Sequence, residues 1–598
     1  MNTRTKTGLE ILQVAVGLGI LGDVLLRQVP WGLNVTLFNL AFAAGMLILL
    51  RRHAPVRLNK QTYALLAALV FFASMFLWRD SIELRIADTF AIVTILGVLF
   101  LPTLKISAKV AGAFQYAIGV IWAGINSMFS AGVLFGSDIK WGELPMSGWR
   151  KHAFAVLRSL LIATPLILIF GALFMAADAV YEGWVKATLN INFEKFISHG
   201  LLFSLFAWLT AGYFRGAIFA GTAPAVEPSL SIIGSETAYT SESGDSKVAQ
   251  FRAESGEHPV VLPDNKTVVE HINSETETQP SESVPDAQAE TRAVASVPLD
   301  QNDATKKTWS WADIDNSIVP GFTLGAVEIG VILGLVNLLF LSFIIFQVPY
   351  LFGGIELVQN TPDFKLAEYA RRGFGELVAV AAIVLPMLLA AHWLLRKETP
   401  AAEKLFRVLA GIQIVLLFVI MASAAQRLVL LTGSLGYGMT TVRLYPMIFM
   451  IWLAIVFLLF GATVLRGARK HFAWAALWSA FFVLGATHVL NPDAFIVRTN
   501  VALMQQGREF DADYNATLSD DAVPVLFEAF NYMNEDDRQK TVQRLASRYC
   551  RKEQENDPRS WNLARSAATS QLAQFGPLVQ QFGGCESRLI VGYYKNHD

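Results

Sequence analysis

The stretch VEIGVILGLVNLLFLSFIIF, residues 327–346, has a single charged side chain, Glu328, in an otherwise apolar run. A helix of about 20 such residues crosses a hydrocarbon core about 30 Å thick. Helices and closed barrels are the structures that satisfy backbone hydrogen bonds in lipid, and no alternating barrel pattern is present. The stretch therefore predicts a transmembrane helix.

Similar runs recur along the chain. Of its 598 residues, 54% are hydrophobic and 16% are charged, and the mean hydropathy is +0.43. Soluble domains are about 25% charged, so the composition favours a membrane protein. We predict an all-α, polytopic helical membrane protein with about twelve transmembrane helices and a small helical C-terminal domain. The spans are expected at residues 8–28, 32–50, 62–78, 84–101, 110–135, 153–178, 197–220, 321–347, 374–395, 402–431, 441–465 and 471–490.

The composition changes twice, which predicts four segments. Residues 1–221 would form an N-terminal membrane block of about seven spans, and 309–490 a second block of about five. Residues 222–308 are rich in Ser, Thr, Glu and Pro, and we predict a disordered acidic linker because they cannot bury enough apolar surface to fold. Residues 491–598 contain amphipathic stretches and predict a helical extramembrane domain.

Basic residues between spans favour the cytoplasmic side. The loop RRHAPVRLNK, with Lys105 and Lys109, places the N-terminus inside. RKETPAAEKLFR and RGARK also look cytoplasmic, but with twelve spans they would fall on the other side. This leaves either one miscounted span or one misleading set of charges. An inside N-terminus is favoured, with the C-terminus on the same side if the number of spans is even.

The segment AEYARRGFGELVAVAAIV, residues 367–384, begins with four charges that can compensate one another at i+3 and i+4 spacing. It follows FQVPYLFGG, where a proline and two glycines are expected to break the preceding helix. We predict either an interfacial anchor or a polar pocket. The pocket would include Glu328, Tyr369, Arg371, Arg372, Glu376 and Arg443.

Other ionisable residues lie within or at the edges of predicted spans, where charge is costly and therefore a functional candidate. They are Asp23, Asp88, Asp178, His392 and Arg427. For Asp88, a structural ion pair with Arg85 is an equally good explanation. Arg427 is expected to snorkel or to find a carboxylate.

No phosphate loop, zinc-protease motif or nucleophile elbow is present, so no catalytic residue, metal or cofactor is predicted. No basic face indicates nucleic acid. Cys550 and Cys585 could form a disulfide or stay unlinked. Two GxxxG pairs, Gly132 with Gly136 and Gly330 with Gly334, predict close helix packing. The partners expected are the lipid bilayer and a protein bound through the C-terminal domain.

Several motifs resemble a bacterial integral-membrane family known as domain of unknown function 4173. They are VNLLFLSFIIFQVPYLFGG, AEYARRGFGELVAVAAIVLPMLL, LGYGMTTVRLYPMIFMIWLA, NPDAFIVRTN, DDAVPVLFEAF, ILGDVLLRQVPWGLNVTLFNL and LFAWLTAGYFRGAI. The resemblance implies a multi-pass protein of the bacterial inner membrane and assigns no activity. It marks Tyr369, Arg371, Arg372, Glu376, Arg443, Tyr445 and Asn491 as typical of the family.

Three functional hypotheses fit these observations. Twelve spans in two blocks suit transport of a small solute or lipid-like molecule. The C-terminal domain suits a non-catalytic sensor, regulator or assembly factor. An intramembrane transferase is the weakest hypothesis, because no nucleophile and base form a recognisable arrangement.

Overall fold

The computed structural model describes residues 2–141, 193–219, 325–352, 374–395, 400–434, 438–552 and 557–574, and the regular structure in these ranges is all-α. The predicted fold class is confirmed. Sixteen helices are described: α1 Thr3–Leu26, α2 Leu33–His53, α3 Lys60–Trp78, α4 Ile82–Phe100, α5 Ala113–Val133, α6 Phe193–Phe219, α7 Ala326–Phe352, α8 Phe374–Leu394, α9 Pro400–Val429, α10 Thr441–Thr463, α11 Phe472–Leu490, α12 Pro492–Gln505, α13 Ala512–Thr517, α14 Val523–Ala529, α15 Glu535–Lys552 and α16 Leu563–Gln574.

Helices α1 to α11 are the eleven in the described part of the chain that are long and apolar enough to cross a membrane. Large apolar side chains on their outer faces are exposed, including Phe90, Leu335 and Phe482. Such faces fit a lipid environment, because hydrocarbon chains solvate them as a protein interior would. The predicted span at 153–178, with Asp178, lies outside the described residues.

The membrane helices pack in two groups. One apolar core joins α1 to α6, and a second joins α7 to α11. Helix α11 belongs to both, because Phe481 packs on Phe72 with ring centroids 5.1 Å apart, while Phe472 lies in the second core.

Small residues allow the closest approaches, but they are not those of the GxxxG pairs. A Cβ added at Gly119 of α5 would lie 2.6 Å from the carbonyl oxygen of Gly97 in α4. Around Gly334 and Gly136, by contrast, there is open space. The expectation of tight packing along those two GxxxG pairs is therefore not met at these two positions.

The helix ends define two faces of the membrane domain. At one end, which we call the basic end, Glu10 of α1 binds Arg52 and His53 at the end of α2, and the backbone N–H of Lys109 donates to Gln61 of α3. Arg407 of α9 approaches Gly467, after α10, at the same end of the second group. The described parts of all four predicted basic loops therefore lie at this end, which removes the conflict between them.

The segment from α5 through a short π-helical turn, Leu134–Asp138, begins and ends near the basic end. It starts after Lys109 and ends where Asp138 forms ion pairs with Arg4, at 2.6 Å, and Arg215, at 2.8 Å. Although α5 is apolar and long enough to span, its two ends do not lie on opposite faces. The prediction of twelve spans included α5 as a membrane crossing. That even number is the reason why both chain termini were predicted on the same side of the membrane.

The C-terminal domain, helices α12 to α16, lies at the end opposite the basic end, and its apolar core also includes Met439 and Leu444 around the start of α10. There the backbone N–H of Leu33, at the start of α2, donates to Trp561 at 2.9 Å, and Arg559 donates to the carbonyl of Val24 at 2.7 Å. The amphipathic stretches predicted as helices form α15 and α16.

Candidate functional site

Buried polar side chains concentrate where the membrane helices meet the C-terminal domain. We call this region the junction. It comprises Arg79, Asp80, Ser81, Glu83 and Asp88 of α3, α4 and the turn between them, Tyr445 of α10, His488 of α11, and Asp493, Ser519 and Asp521 of the C-terminal domain.

The deepest part of the junction is an acid–histidine pair. His488 Nε2 lies 2.9 Å from Asp88 Oδ1, and the two side chains are 0% and 1% exposed. His488 Nδ1 has no hydrogen-bond partner among the described residues. Arg85 pairs instead with Asp80, so the alternative of an Arg85–Asp88 pair is wrong. Asp88 joins α4 to α11 across the boundary between the two helix groups.

Arg79 connects this pair to the C-terminal domain. Its Nε donates to the carbonyl oxygen of His488 at 2.9 Å, and its Nη1 donates to Asp521 Oδ1 at 3.0 Å. The backbone N–H of Asp80 donates to the other oxygen of Asp521 at 2.7 Å. Asp521 is thus held by the turn between α3 and α4, although burial raises its pKa above the ordinary value.

A second polar chain leads from α4 to α10. The hydroxyl of Ser81 donates to Glu83 at 2.9 Å and lies 3.0 Å from the hydroxyl of Tyr445. Ser81 is buried. The start of α10 is itself fixed by the C-terminal domain, because Tyr514 accepts the N–H of Thr441 at 2.8 Å.

Among the carboxyl groups of the junction, that of Asp493 has the pKa that is raised furthest. It occupies the first turn of α12, directly after Pro492 and the left-handed Asn491 that turns the chain out of α11. Its Oδ2 accepts the N–H of Ser519 at 3.2 Å. Burial, together with the negative charges of Glu83 and Asp521, raises the pKa of Asp493 to about 6.

Backbone contacts reinforce these side-chain links. The buried amide of Asn562 donates to the carbonyls of Phe76, at 2.7 Å, and Arg79, at 2.9 Å, which α3 leaves open at its C-terminal end. At Gly32, a Cβ would lie 2.4 Å from the carbonyl oxygen of Trp561, so only glycine allows the two chains to pass this closely.

The residues of the predicted polar pocket do not all come together. Glu328 lies in the first turn of α7, where its carboxylate accepts the N–H of Gly325. Glu376 lies in the first turn of α8, which runs opposite to α7, so the two carboxylates lie at opposite ends of the helix group. Arg443, at the start of α10, donates to the carbonyl of Gly438. Tyr369, Arg371 and Arg372 lie outside the described residues.

The other predicted polar residues have separate surroundings. Asp23 bridges α1 and α6 through Arg27, at 2.7 Å, and His199, at 2.6 Å. His392 packs against the ring of Phe406, with centroids 5.1 Å apart. Arg427 is buried in the last turn of α9 and is 7% exposed. Asp88 is the one candidate of this set that belongs to the junction.

A family model matches residues 66–235 and 292–529, which is more than half of the chain, and its description is domain of unknown function DUF4153. The chain belongs to the DUF4153 family. The prediction that the chain belongs to a family of unknown function is therefore confirmed. The matching family is number 4153, not the predicted number 4173. No curated protein and no solved structure matches the chain.

The DUF4153 match includes every residue of the junction. Of these residues, Asp88 alone was predicted as a site residue, and Tyr445 was marked only as typical of the resembling family. Arg79, His488, Asp493 and Asp521 are among those that were not predicted. The pattern WRDSIE at 78–83 places charges between two spans, and NPD at 491–493 places an acid beside the end of another. These patterns signal polar helix ends, but nothing local shows that the ends meet. No group of three or more His, Cys, Asp or Glu side chains in the described ranges is arranged to hold a metal ion.

Proposed function

We propose that this DUF4153 protein is a membrane sensor or regulator that couples the position of its C-terminal domain to the packing of its membrane helices. The junction carries the proposal. Arg79 binds both the end of α11 and Asp521 of the C-terminal domain. The domain therefore cannot move away without taking Asp521 from the Arg79 side chain and from the N–H of Asp80.

The location of the unusual residues supports coupling over the alternatives. A solute site is expected near the middle of the bilayer, between broken helices. The buried polar residues of the junction instead lie where the ends of the membrane helices meet the C-terminal domain. Such a position suits transmission of a change in the domain to α3, α4 and α11.

We also propose that the protein lies in a bacterial inner membrane with its basic end in the cytoplasm. Short loops rich in Lys and Arg stay on the cytoplasmic side. The basic end carries Arg51, Arg52, Arg57, Lys60, Lys105, Lys109, Lys404, Arg407, Arg466, Arg469 and Lys470. In the short turns at the other end, Arg27 and Arg79 are paired with Asp23 and Asp521. The C-terminal domain would then be extracytoplasmic.

Orientation can be tested with single cysteines in a chain whose Cys550 and Cys585 are replaced by serine. Val56→Cys lies at the basic end, where Val56 is 95% exposed, and Tyr532→Cys lies in the C-terminal domain, where Tyr532 is 62% exposed. A membrane-impermeant maleimide should label position 532 in spheroplasts and position 56 only after lysis. The reverse pattern would refute the orientation.

Coupling can be tested with Gly32→Ala, whose new Cβ would collide with Trp561 and displace the C-terminal domain. The readout is the rate of maleimide labelling at Val56→Cys in inverted vesicles, because α3 connects that loop to the junction. Gly17→Ala is the matched control, since a Cβ there meets open space. We expect the rate to change in the first variant alone. A displaced domain, shown by limited proteolysis, with an unchanged rate would contradict coupling.

Transport of a small solute or lipid-like molecule is the second candidate, and the buried Asp88–His488 pair favours it. Pairs of this kind in membrane helices serve as proton relays in transporters. Cells that contain the wild type, Asp88→Asn or Glu376→Gln would be compared for intracellular and extracellular solutes. A solute whose distribution changes in a variant that still folds would support transport, and unchanged distributions would count against it.

A further inference from the structure

We propose that the carboxyl group of Asp493 is a proton-binding site within the junction, and that its proton strengthens the attachment of the C-terminal domain. The proposal deepens the coupling function by naming a stimulus, and it rests on that function for its use in the cell. The attachment itself can be measured on the purified protein.

The surroundings of Asp493 suit a neutral acid better than a carboxylate. The residue is 2% exposed. Oδ2 accepts the N–H of Ser519, but Oδ1 has no hydrogen-bond partner among the described residues. A buried carboxylate oxygen without a donor is strongly disfavoured, whereas a protonated carboxyl group carries no charge and supplies its own hydrogen.

Neighbouring charges act in the same direction. The groups that face Asp493 from the packed elements are Glu83 of α4, Tyr445 of α10, and Ser519 and Asp521 of the turn before α14. The arginine of the junction, Arg79, binds Asp521. Ionised Asp493 would therefore add a third negative charge beside Glu83 and Asp521, and Arg79 is already paired with Asp521.

The sign of the pH dependence follows from this arrangement. The attached domain holds the pKa of Asp493 near 6, above the ordinary value of 3.8. Protonation is thus easier in the attached state, so attachment is favoured at low pH and weakens as pH rises through about 6. A pKa difference of this size corresponds to about a hundred-fold change in the attachment equilibrium.

The experiment measures a distance in the full-length protein in lipid nanodiscs. Spin labels are placed at Val29→Cys, in the loop between α1 and α2, and at Tyr532→Cys, in the chain without native cysteines. Val29 is 67% exposed. We expect one short distance at acidic pH and a growing population of longer distances as pH rises through about 6.

Asp493→Asn is the decisive variant, because the amide is neutral and its oxygen still accepts the N–H of Ser519. It should stay attached at every pH. Asp513→Asn is the matched control, since Asp513 is exposed and pairs with Arg544 at the surface. The control should keep the pH profile of the wild type. A pH-independent distance in the wild type, or an unchanged transition in Asp493→Asn, would overturn the proposal.

A second variant covers the case in which Asp493→Asn does not fold. Glu83→Gln removes one of the charges that oppose ionisation, so the transition should move to lower pH. An unmoved or upward-shifted transition would overturn the proposal. If attachment varies with pH while the labelling rate at Val56→Cys, measured at one fixed pH, is the same with and without Gly32→Ala, the proton-binding site is supported and the coupling function is refuted.

Discussion

Asp88 shows how a buried charge is compensated in this fold. It lies two turns into α4, and its partner, His488, comes from a helix 400 positions later in the chain. The pair is completely buried, so each side chain depends on the other for its hydrogen bond. Removing one partner of a buried pair is far more destabilising than replacing both with apolar residues.

This asymmetry predicts a strongly non-additive double-mutant cycle. His488→Leu should lower the free energy of unfolding by about 3 kcal/mol, because Asp88 is left charged or unpaired in an apolar site. Asp88→Leu together with His488→Leu should recover most of that loss. Thermal unfolding of the wild type, the two single variants Asp88→Leu and His488→Leu, and the double variant in detergent provides the measurement. Additive losses would contradict this dependence of each side chain on the other.

At the same scale, sequence reasoning identified Asp88 but not its partner. A carboxylate inside an apolar run is visible from composition, and its cost demands compensation. The nearest cation in sequence, Arg85, was the natural expectation, yet Arg85 binds Asp80 at the helix end. Local spacing could not reveal His488, because the contact depends on the packing of α11 against α4.

Helix positions could be predicted well where charges border apolar runs. Spans were expected at 62–78 and 84–101, and the helices are Lys60–Trp78 and Ile82–Phe100. Arg79 and Asp80 mark that boundary in the sequence. The sequence could not predict that both ends of α5 lie near the basic end. Hydropathy shows that a helix is long and apolar enough to cross, but not whether its two ends lie on opposite faces.

The contact between α4 and α5 depends on two glycines rather than on apolar area alone. Gly119→Leu should destabilise the protein by about 1–3 kcal/mol, because its side chain would meet the backbone of Gly97 and push the helices apart. Gly124→Leu is the matched control on α5, where no atom lies within 4 Å. The melting temperatures of the two variants test this prediction. If both fall by the same amount, the close contact between Gly119 and Gly97 does not determine the stability of the α4–α5 packing.

For the whole molecule, the C-terminal domain completes the membrane domain. A chain that ends at Asn491 lacks Asp521 and Asn562 and leaves Arg79 without its carboxylate and the carbonyl of Phe76 without its donor. We expect it to insert but to melt at clearly lower temperature, measured by size-exclusion chromatography after heating. Deleting residues 236–291, which lie between the two parts of the family match, should leave the melting temperature near that of the wild type.

The separation of the junction's partners along the chain also governs the order of assembly during synthesis. Phe76 and Asn562 are 486 positions apart, and Arg79 and Asp521 are 442 apart. Helices α3 and α4 therefore enter the membrane long before the residues that pair with their charged ends have left the ribosome. During that interval Arg79 and Asp88 lack these partners. The junction can form only once these residues have been made, so a nascent chain that stops before Asp521 leaves Arg79 without its carboxylate.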